Sequence, residues 1–265
     1  MICRLMLITL VALLLLDDLD FNLKRYILPI FLALFGIIFM FFLFMNFFLR
    51  FISEKEMEDE WRIPWGGISI FLILGLFYFL TLFVGIFSGT LSSILGTLVL
   101  ILCPILVVKY HGLNPRILGF SRVRLKIFLL ILVFGFLYFP LNQFLSYLTY
   151  LALGDFPFYQ ELLDSIREDL VVTVPFIVFF GPIGEEIFFR GYAYPVFRRY
   201  GIKTGIILSS LFFAFYHLLA WQFLTAFVAG VILSYIYERT QNIYLCITFH
   251  IVSNAIGLSV MLLNP

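Results

Sequence analysis

The chain has 265 residues, of which 63% are hydrophobic and only 12% are charged, and its formal net charge at pH 7 is +1. A soluble domain is roughly 45–50% apolar and about 25% charged, so this composition excludes a water-soluble globule. It also excludes a disordered chain and a basic nucleic-acid-binding protein. We expect an all-α, polytopic transmembrane bundle of seven to eight helices that contacts the lipid bilayer and has no nucleic-acid partner.

Long apolar segments recur along the whole chain. A spanning helix needs about 20 mostly apolar residues, because the hydrocarbon core is about 30 Å thick. The segments that meet or approach this length are 26–49, 65–87, 91–110, 127–151, 170–189, 205–220, 221–237 and 243–263. We divide 205–237 into two helices because it is too long for one span. The opening apolar stretch, 5–16, fits a short helix, an interfacial helix or a wrongly assigned start codon.

The basic residues between these segments predict the orientation. Lysine and arginine in short loops favour the cytoplasmic side of a membrane. If the loops 50–64 and 109–126 are cytoplasmic, one side holds Arg50, Lys55, Arg62, Lys109, Arg116, Arg122, Arg124, Lys126, Arg198, Arg199, Lys203 and Arg239. The other side then holds Lys24, Arg25 and Arg167, beside an acidic loop at 152–170. We therefore expect a multi-pass protein of the cell membrane with its C-terminus on the outer side.

Charged residues at membrane depth indicate function, since each costs roughly 2.5–3.5 kcal/mol to insert. The sequence GPIGEEIFFRG at 181–191 holds Glu185, Glu186 and Arg190. Its glycines and proline predict a helix that breaks and restarts at Pro182, which would place both glutamates near a helix N-terminus. Glu186 and Arg190, four residues apart, are predicted to form a structural ion pair that leaves Glu185 free for chemistry. The alternative is a buried ion network of all three that only joins helices.

Two later spans also carry polar groups. Phe213 and His217 lie in one, where Phe213 is expected to support the imidazole ring, and His250 and Asn254 lie in the last. Counted from the nearest cytoplasmic loop at 1.5 Å per residue, Glu185, His217, His250 and Asn254 lie at depths of about 20, 21, 12 and 18 Å. These similar depths on three helices predict one shared site buried within the membrane.

A free carboxylate, two imidazoles and a carboxamide fit the hydrolysis of a peptide bond. Glu185 is the candidate general base, which takes a proton from a water held jointly with His217. A neutral imidazole N–H of His250 and the amide of Asn254 are the candidate donors to the oxyanion. This scheme needs no cofactor. A zinc site with Glu185, His217 and His250 as ligands is the alternative, although an HExxH motif is absent.

Two non-proteolytic interpretations also stay open. In a polar-relay transporter, Glu185, His217 and His250 would pass protons or bind an ion, but the apolar outer halves of the spans do not favour a path across the membrane. The second non-proteolytic interpretation is a catalytically silent scaffold or an immunity protein against a peptide toxin. The completeness of the polar motifs argues against it.

Three motifs in order, Glu185-Glu186-x-x-x-Arg190, Phe213-x-x-x-His217 and His250-x-x-x-Asn254, carry a family resemblance. They resemble the motifs of the CAAX proteases and bacteriocin-processing enzymes, the intramembrane peptidase family that includes type II CAAX prenyl endopeptidases. The connection from Gly230 through Tyr237-Glu238-Arg239-Thr240-Gln241-Asn242-Ile243 is similar as well.

The resemblance covers about 127–265, the expected protease core, and leaves 1–126 as N-terminal membrane helices outside it. It implies an all-helical membrane fold and peptide-bond cleavage without a nucleophilic side chain. In that scheme Glu185 and His217 serve as base and water-positioning group, and His250 and Asn254 form the oxyanion hole. It further implies a peptide or protein substrate, which in the best-known members carries a C-terminal lipid.

Overall fold

The computed structural model describes residues 63–156 and 159–263. They form eight α-helices and one 3₁₀ turn at Pro115–Leu118, and no β-strand occurs among them. The helices are α1 (Gly67–Gly85), α2 (Gly89–Tyr110), α3 (Leu125–Leu153), α4 (Tyr159–Glu168), α5 (Leu170–Arg198), α6 (Ile202–Tyr216), α7 (Ala220–Thr240) and α8 (Ile243–Leu263). The expected span 26–49, the stretch 5–16 and most of the loop 50–64 lie outside the described residues.

Within the described part of the chain, every helix except α4 and α6 is long and apolar enough to cross a membrane. Helix α6 is apolar but has only 15 residues. The expected all-α, polytopic fold is confirmed, and so is the division of 205–237 into two helices. The chain is an integral, multi-pass membrane protein. Helix α4 is short and amphipathic, with Leu163 and Ile166 buried, and was not anticipated.

Helix α5 is continuous, so the break expected at Gly181 and Pro182 is wrong. Two wider, π-type stretches, Phe176–Phe180 and Ile187–Ala193, lie on either side of that point. A proline lacks the N–H that the regular helical pattern requires, and a wider turn lets the helix continue past it. The two glutamates of this helix therefore lie in mid-helix and not at a helix N-terminus.

Helix α5 lies at the centre of the bundle, where it packs against α2, α6 and α8. Glycines allow close approach where outer helices cross. A Cβ on Gly230 of α7 would lie 2.9 Å from the Cα of Ser210 on α6, and one on Gly135 of α3 would lie 2.9 Å from Val252 of α8. Small residues at such contacts are typical of membrane bundles. Because α5 packs against α6 and α8, the helix that carries the first motif is held by the two helices that carry the others.

The two ends of the bundle differ in charge. One, which we call the basic end, carries Lys109, Arg116, Arg122, Arg124, Lys126, Arg198, Arg199, Lys203 and Arg239. Two contacts join its loops and helix ends: Asn242 Nδ2 donates to the carbonyl of Ser121 at 3.0 Å, and Arg198 Nε donates to Glu238 Oε2 at 2.9 Å. The opposite, acidic end includes the connection from α3 through α4 to α5, with Asp155, Glu161, Asp164, Arg167, Glu168 and Asp169.

Candidate active site

A cavity of about 560 Å³ is lined by all four residues expected to be catalytic. Glu185 comes from α5, His217 follows the last residue of α6, and His250 and Asn254 lie one turn apart on α8. Phe213, expected to support His217, lines the same cavity. These residues, which lie at similar predicted depths on three helices, are brought together by the helix packing.

Glu186 and Arg190 form the ion pair that their spacing predicted. Arg190 Nη1 donates to Glu186 Oε1 at 3.0 Å, and both side chains are fully buried. The guanidinium also lies 4.3 Å from the centre of the Phe213 ring, in cation–π geometry. Arg190 Nη2 donates to the carbonyl of Gly230 at 3.4 Å. The pair therefore links α5 to both α6 and α7.

Glu186 has a second partner that the sequence did not reveal. Its Oε1 atom also accepts a hydrogen bond from His250 Nδ1 at 2.8 Å. A carboxylate paired with a guanidinium only accepts hydrogen bonds, so Nδ1 carries the proton. In neutral His250, Nε2 would then have a lone pair and could not donate. In this geometry His250 can donate to an oxyanion only as an imidazolium, a change from the neutral donor that we expected.

The Glu185 carboxylate faces the cavity. Its side chain is 16% exposed, whereas the side chain of Glu186 is fully buried. Glu185 Oε2 lies 3.8 Å from His250 Nε2, which is too long for a hydrogen bond but within the range of an ion pair. An unprotonated Glu185 in this position can accept a proton from a molecule in the cavity.

His217 has one ring nitrogen fixed and one available. Nδ1 lies 2.9 Å from the carbonyl oxygen of Phe213, and since a carbonyl only accepts, Nδ1 carries the proton. The Phe213 ring also packs edge-on against the imidazole, with 4.7 Å between ring centres, as its expected supporting role requires. In the neutral form, Nε2 of His217 is an acceptor that can orient a water molecule.

The turn after His217 contains an unusual backbone conformation. Leu218 has a φ of 55°, in the left-handed region that non-glycine residues rarely adopt. Such a conformation costs roughly 1–2 kcal/mol for an L-residue. It lies directly after His217, which follows the last residue of α6, and turns the chain into α7, so that His217 is held at the end of the helix.

Asn254 contacts both the cavity and the backbone of α5. Its Nδ2 atom donates to the carbonyl of Ile177 at 2.9 Å. Ile177 lies in the π-type stretch Phe176–Phe180, where wide turns leave carbonyls available. An amide NH₂ has two protons, so one remains for another acceptor in the cavity.

Sequence reasoning missed two tyrosines near the site. The Tyr78 hydroxyl donates to the backbone carbonyl of Tyr216 at 2.6 Å, and so satisfies an acceptor at the end of α6, directly before His217. The Tyr216 ring lines the cavity and packs edge-on against His217, with 5.3 Å between ring centres. The available signal in the sequence was a tyrosine hydroxyl, that of Tyr78, at mid-depth in a mostly apolar span.

The alternative zinc ligands Glu185, His217 and His250 line the same cavity. No group of three His, Cys, Asp or Glu side chains in the ranges 63–156 and 159–263 comes close enough together to hold a metal ion.

Residues 167–256 match a family model described as type II CAAX prenyl endopeptidase Rce1-like. This segment is roughly a third of the chain and contains all three motifs, so the family resemblance is confirmed there. It is shorter than the 127–265 core that we expected. No curated protein and no solved structure matches the chain.

Proposed function

We propose that this chain is an intramembrane endopeptidase that hydrolyses a peptide bond with a water molecule activated by Glu185. The principal support is that four polar side chains from three helices line one cavity within the bundle. The match of residues 167–256 to an endopeptidase family supports the same reaction class.

Water activation is assigned to α5 and α6. Glu185 accepts a proton from water, whose oxygen is oriented by Nε2 of His217 and bonds to the carbonyl carbon of the substrate. The tetrahedral intermediate then collapses, the C–N bond breaks, and the proton held on Glu185 passes to the departing amine. Each turnover consumes one water and returns Glu185 to its ionised state.

Helix α8 is assigned to the oxyanion. The remaining N–H of Asn254 and the Nε2–H of a protonated His250 are the two donors. Glu186 accepts from Nδ1 of His250 and so fixes the orientation of the ring. With Glu185 and Glu186 ionised and Arg190 and His250 positive, the buried cluster is neutral overall, which avoids an unpaired charge within the membrane.

The proposed substrate is a peptide or protein segment that reaches the membrane. Removal of the last three residues of a C-terminal CAAX sequence, after its lipid-modified cysteine, is the narrower form of this proposal, since the matched family is described as a CAAX prenyl endopeptidase. The cavity volume of about 560 Å³ is in the usual range for small-ligand pockets, so it accommodates a few residues of an extended chain.

Peptide cleavage by the purified full chain in detergent tests this proposal. We expect Glu185→Gln and His217→Ala each to lower kcat/KM by at least about 100-fold, the usual contribution of a general base and its partner. Glu168→Gln, at an exposed position of α4, and His111→Ala, in the basic α2–α3 loop, are the matched controls and should retain the wild-type rate. A scaffold or a transporter would show no cleavage by any of these proteins.

A chelator separates the metal-free scheme from the zinc alternative. We expect the wild-type rate to be unchanged after dialysis against a chelator and unchanged again on addition of zinc. A rate that falls on dialysis and returns with zinc would instead assign Glu185, His217 and His250 as ligands.

A further inference from the structure

Among the described residues, the cavity lining reaches one end of the bundle and not the charged residues of the other. On each of five helices its lining includes a residue toward the acidic end, namely Ser93 on α2, Asn142 on α3, Ile166 on α4, Gln222 on α7 and Met261 on α8. None of the charged residues that define the basic end lines it within the described part of the chain. The cavity therefore leads from Glu185 to the acidic end.

Exposure along the lining identifies the mouth and the floor. Ser93 and Gln222, near the first turns of α2 and α7, are exposed. Leu233 and Phe213, which line the cavity farther from the acidic end, are 0% and 2% exposed. The mouth thus lies at the acidic end, and the floor separates the site from the basic end.

Helix lengths give the distances of the lining residues from the basic end. Along α7 and α8, Leu233 and Phe249 line the cavity about 9 Å from that end, whereas Glu185 and His217 lie farther from it. From Glu185 to Arg198, the last residue of α5, the helical rise is about 20 Å. From His217 back to Lys203 on α6 it is about 21 Å. The side chains of Phe188, Phe189 and Phe197 fill this part of the bundle and are buried. A substrate at the basic end would have to displace packed helices to reach the carboxylate.

The charge of the two ends assigns them to the two sides of the membrane. Nine lysines and arginines in loops and at helix ends mark the basic end as cytoplasmic, because short basic loops are retained on that side. The acidic end, with Arg167 as the basic residue of its α4 connection, is then the outer one.

We propose that the site opens to the non-cytoplasmic side of the membrane, and that its substrate is a polypeptide segment presented there. Such a segment is either an exported peptide or the outer part of another membrane protein. This inference rests on the proposed endopeptidase function and narrows its substrate class. It favours the broader form of that function over CAAX processing, because a CAAX terminus confined to the cytoplasm would meet the basic end.

Thiol labelling of intact cells tests the side on which the cavity opens. Full-length Gln222→Cys places a thiol at the mouth, and Lys203→Cys places one at the exposed basic end. The wild-type chain, with its three native cysteines, gives the background. A charged, membrane-impermeant maleimide should label Gln222→Cys in intact cells, at least fivefold above background, and Lys203→Cys only after the membrane is permeabilised. Labelling of both variants in denaturant confirms that each is present.

Labelling of Lys203→Cys in intact cells, with Gln222→Cys labelled only after permeabilisation, would overturn the proposal. So would a Gln222→Cys thiol that reacts only in denaturant, because the mouth would then be closed. The extent of maleimide labelling does not depend on catalysis. If the wild type cleaves no peptide, the proposed function fails while the labelling still reports the side of the cavity.

A second measurement links the mouth to turnover. Gln222→Cys modified from outside should cleave at least tenfold more slowly than the same variant before modification, because the maleimide adduct blocks the route to Glu185. The corresponding modification of Lys203→Cys should leave its own rate unchanged. Equal rates for Gln222→Cys before and after modification would show that substrate enters elsewhere.

Discussion

Glu185 and Glu186 are neighbours in the chain, yet their side chains have different surroundings. Glu186 is fully buried between Arg190 and His250, whereas Glu185 faces the cavity. Successive side chains on a helix point about 100° apart, so adjacent carboxylates face different neighbours. One glutamate therefore organises the buried charges, and the other is available to a substrate.

The ion pair between Glu186 and Arg190 predicts the effect of removing the carboxylate. Glu186→Gln leaves Arg190 without its carboxylate and should lower the free energy of unfolding by about 3–5 kcal/mol. Thermal unfolding in detergent measures this loss, with Glu168→Gln on exposed α4 as the control. Adding Arg190→Met to Glu186→Gln removes the stranded charge and should recover part of the stability. Additive losses in the double variant would contradict the pairing.

Tyr78 offers a second prediction at the residue scale. Tyr78→Phe removes the hydrogen bond to the Tyr216 carbonyl and leaves that acceptor unpaired, at a cost of about 1–3 kcal/mol. The loss falls on the end of α6, so we expect kcat to drop as His217 becomes less well positioned, with a smaller change in KM. Tyr110→Phe, at an exposed position, is the control. Wild-type stability and kcat in Tyr78→Phe would show that the contact is dispensable.

Helix ends and irregular turns determine the site at the scale of secondary structure. The π-type stretches of α5 allow a proline-containing helix to run through the bundle and expose a carbonyl to Asn254. The short turn between α6 and α7 places His217 in the lining of the cavity that Glu185 also lines. Both are departures from regular helix in which the backbone takes a less favourable conformation, as is common at functional sites.

The turn at Leu218 gives a prediction at this scale. A β-branched residue is the least tolerant of a positive φ, so Leu218→Ile should lower the unfolding temperature and the cleavage rate. Glycine adopts a positive φ without strain, so Leu218→Gly should be more stable than Leu218→Ile by about 1–2 kcal/mol. The matched control is Leu219→Ile, where φ is −110° and a β-branched residue fits. If Leu218→Ile and Leu219→Ile behave alike, the backbone at 218 is not strained.

The sequence predicted most of what hydrophobic length and residue spacing determine. It located the described spans, the Glu186–Arg190 pair and the residues that meet in the cavity. It did not predict the uninterrupted α5, because the local rule for glycine and proline was overridden by wider turns and packing within the bundle. The bond from His250 to Glu186 was also missed, since spacing along one helix gives no register between helices 64 residues apart.

The described part of the chain combines a basic end, a central charged cluster and a cavity whose lining reaches the acidic end. Six apolar helices of the described region provide the low-dielectric surroundings in which buried charges interact strongly. Helix α5 connects all three parts, because it carries both glutamates, packs against α2, α6 and α8, and ends in the basic Arg198. The proposed activation of water within the bundle would thus depend on the arrangement of several helices.

A double-variant measurement of kcat/KM tests most directly whether Glu185 and His217 act on one water. Groups that act as a unit give strongly non-additive losses, whereas independent groups give losses that multiply. We predict that Glu185→Gln combined with His217→Ala is no more than about threefold slower than the slower single variant. A double variant slowed by the product of the two single losses would contradict a shared catalytic site.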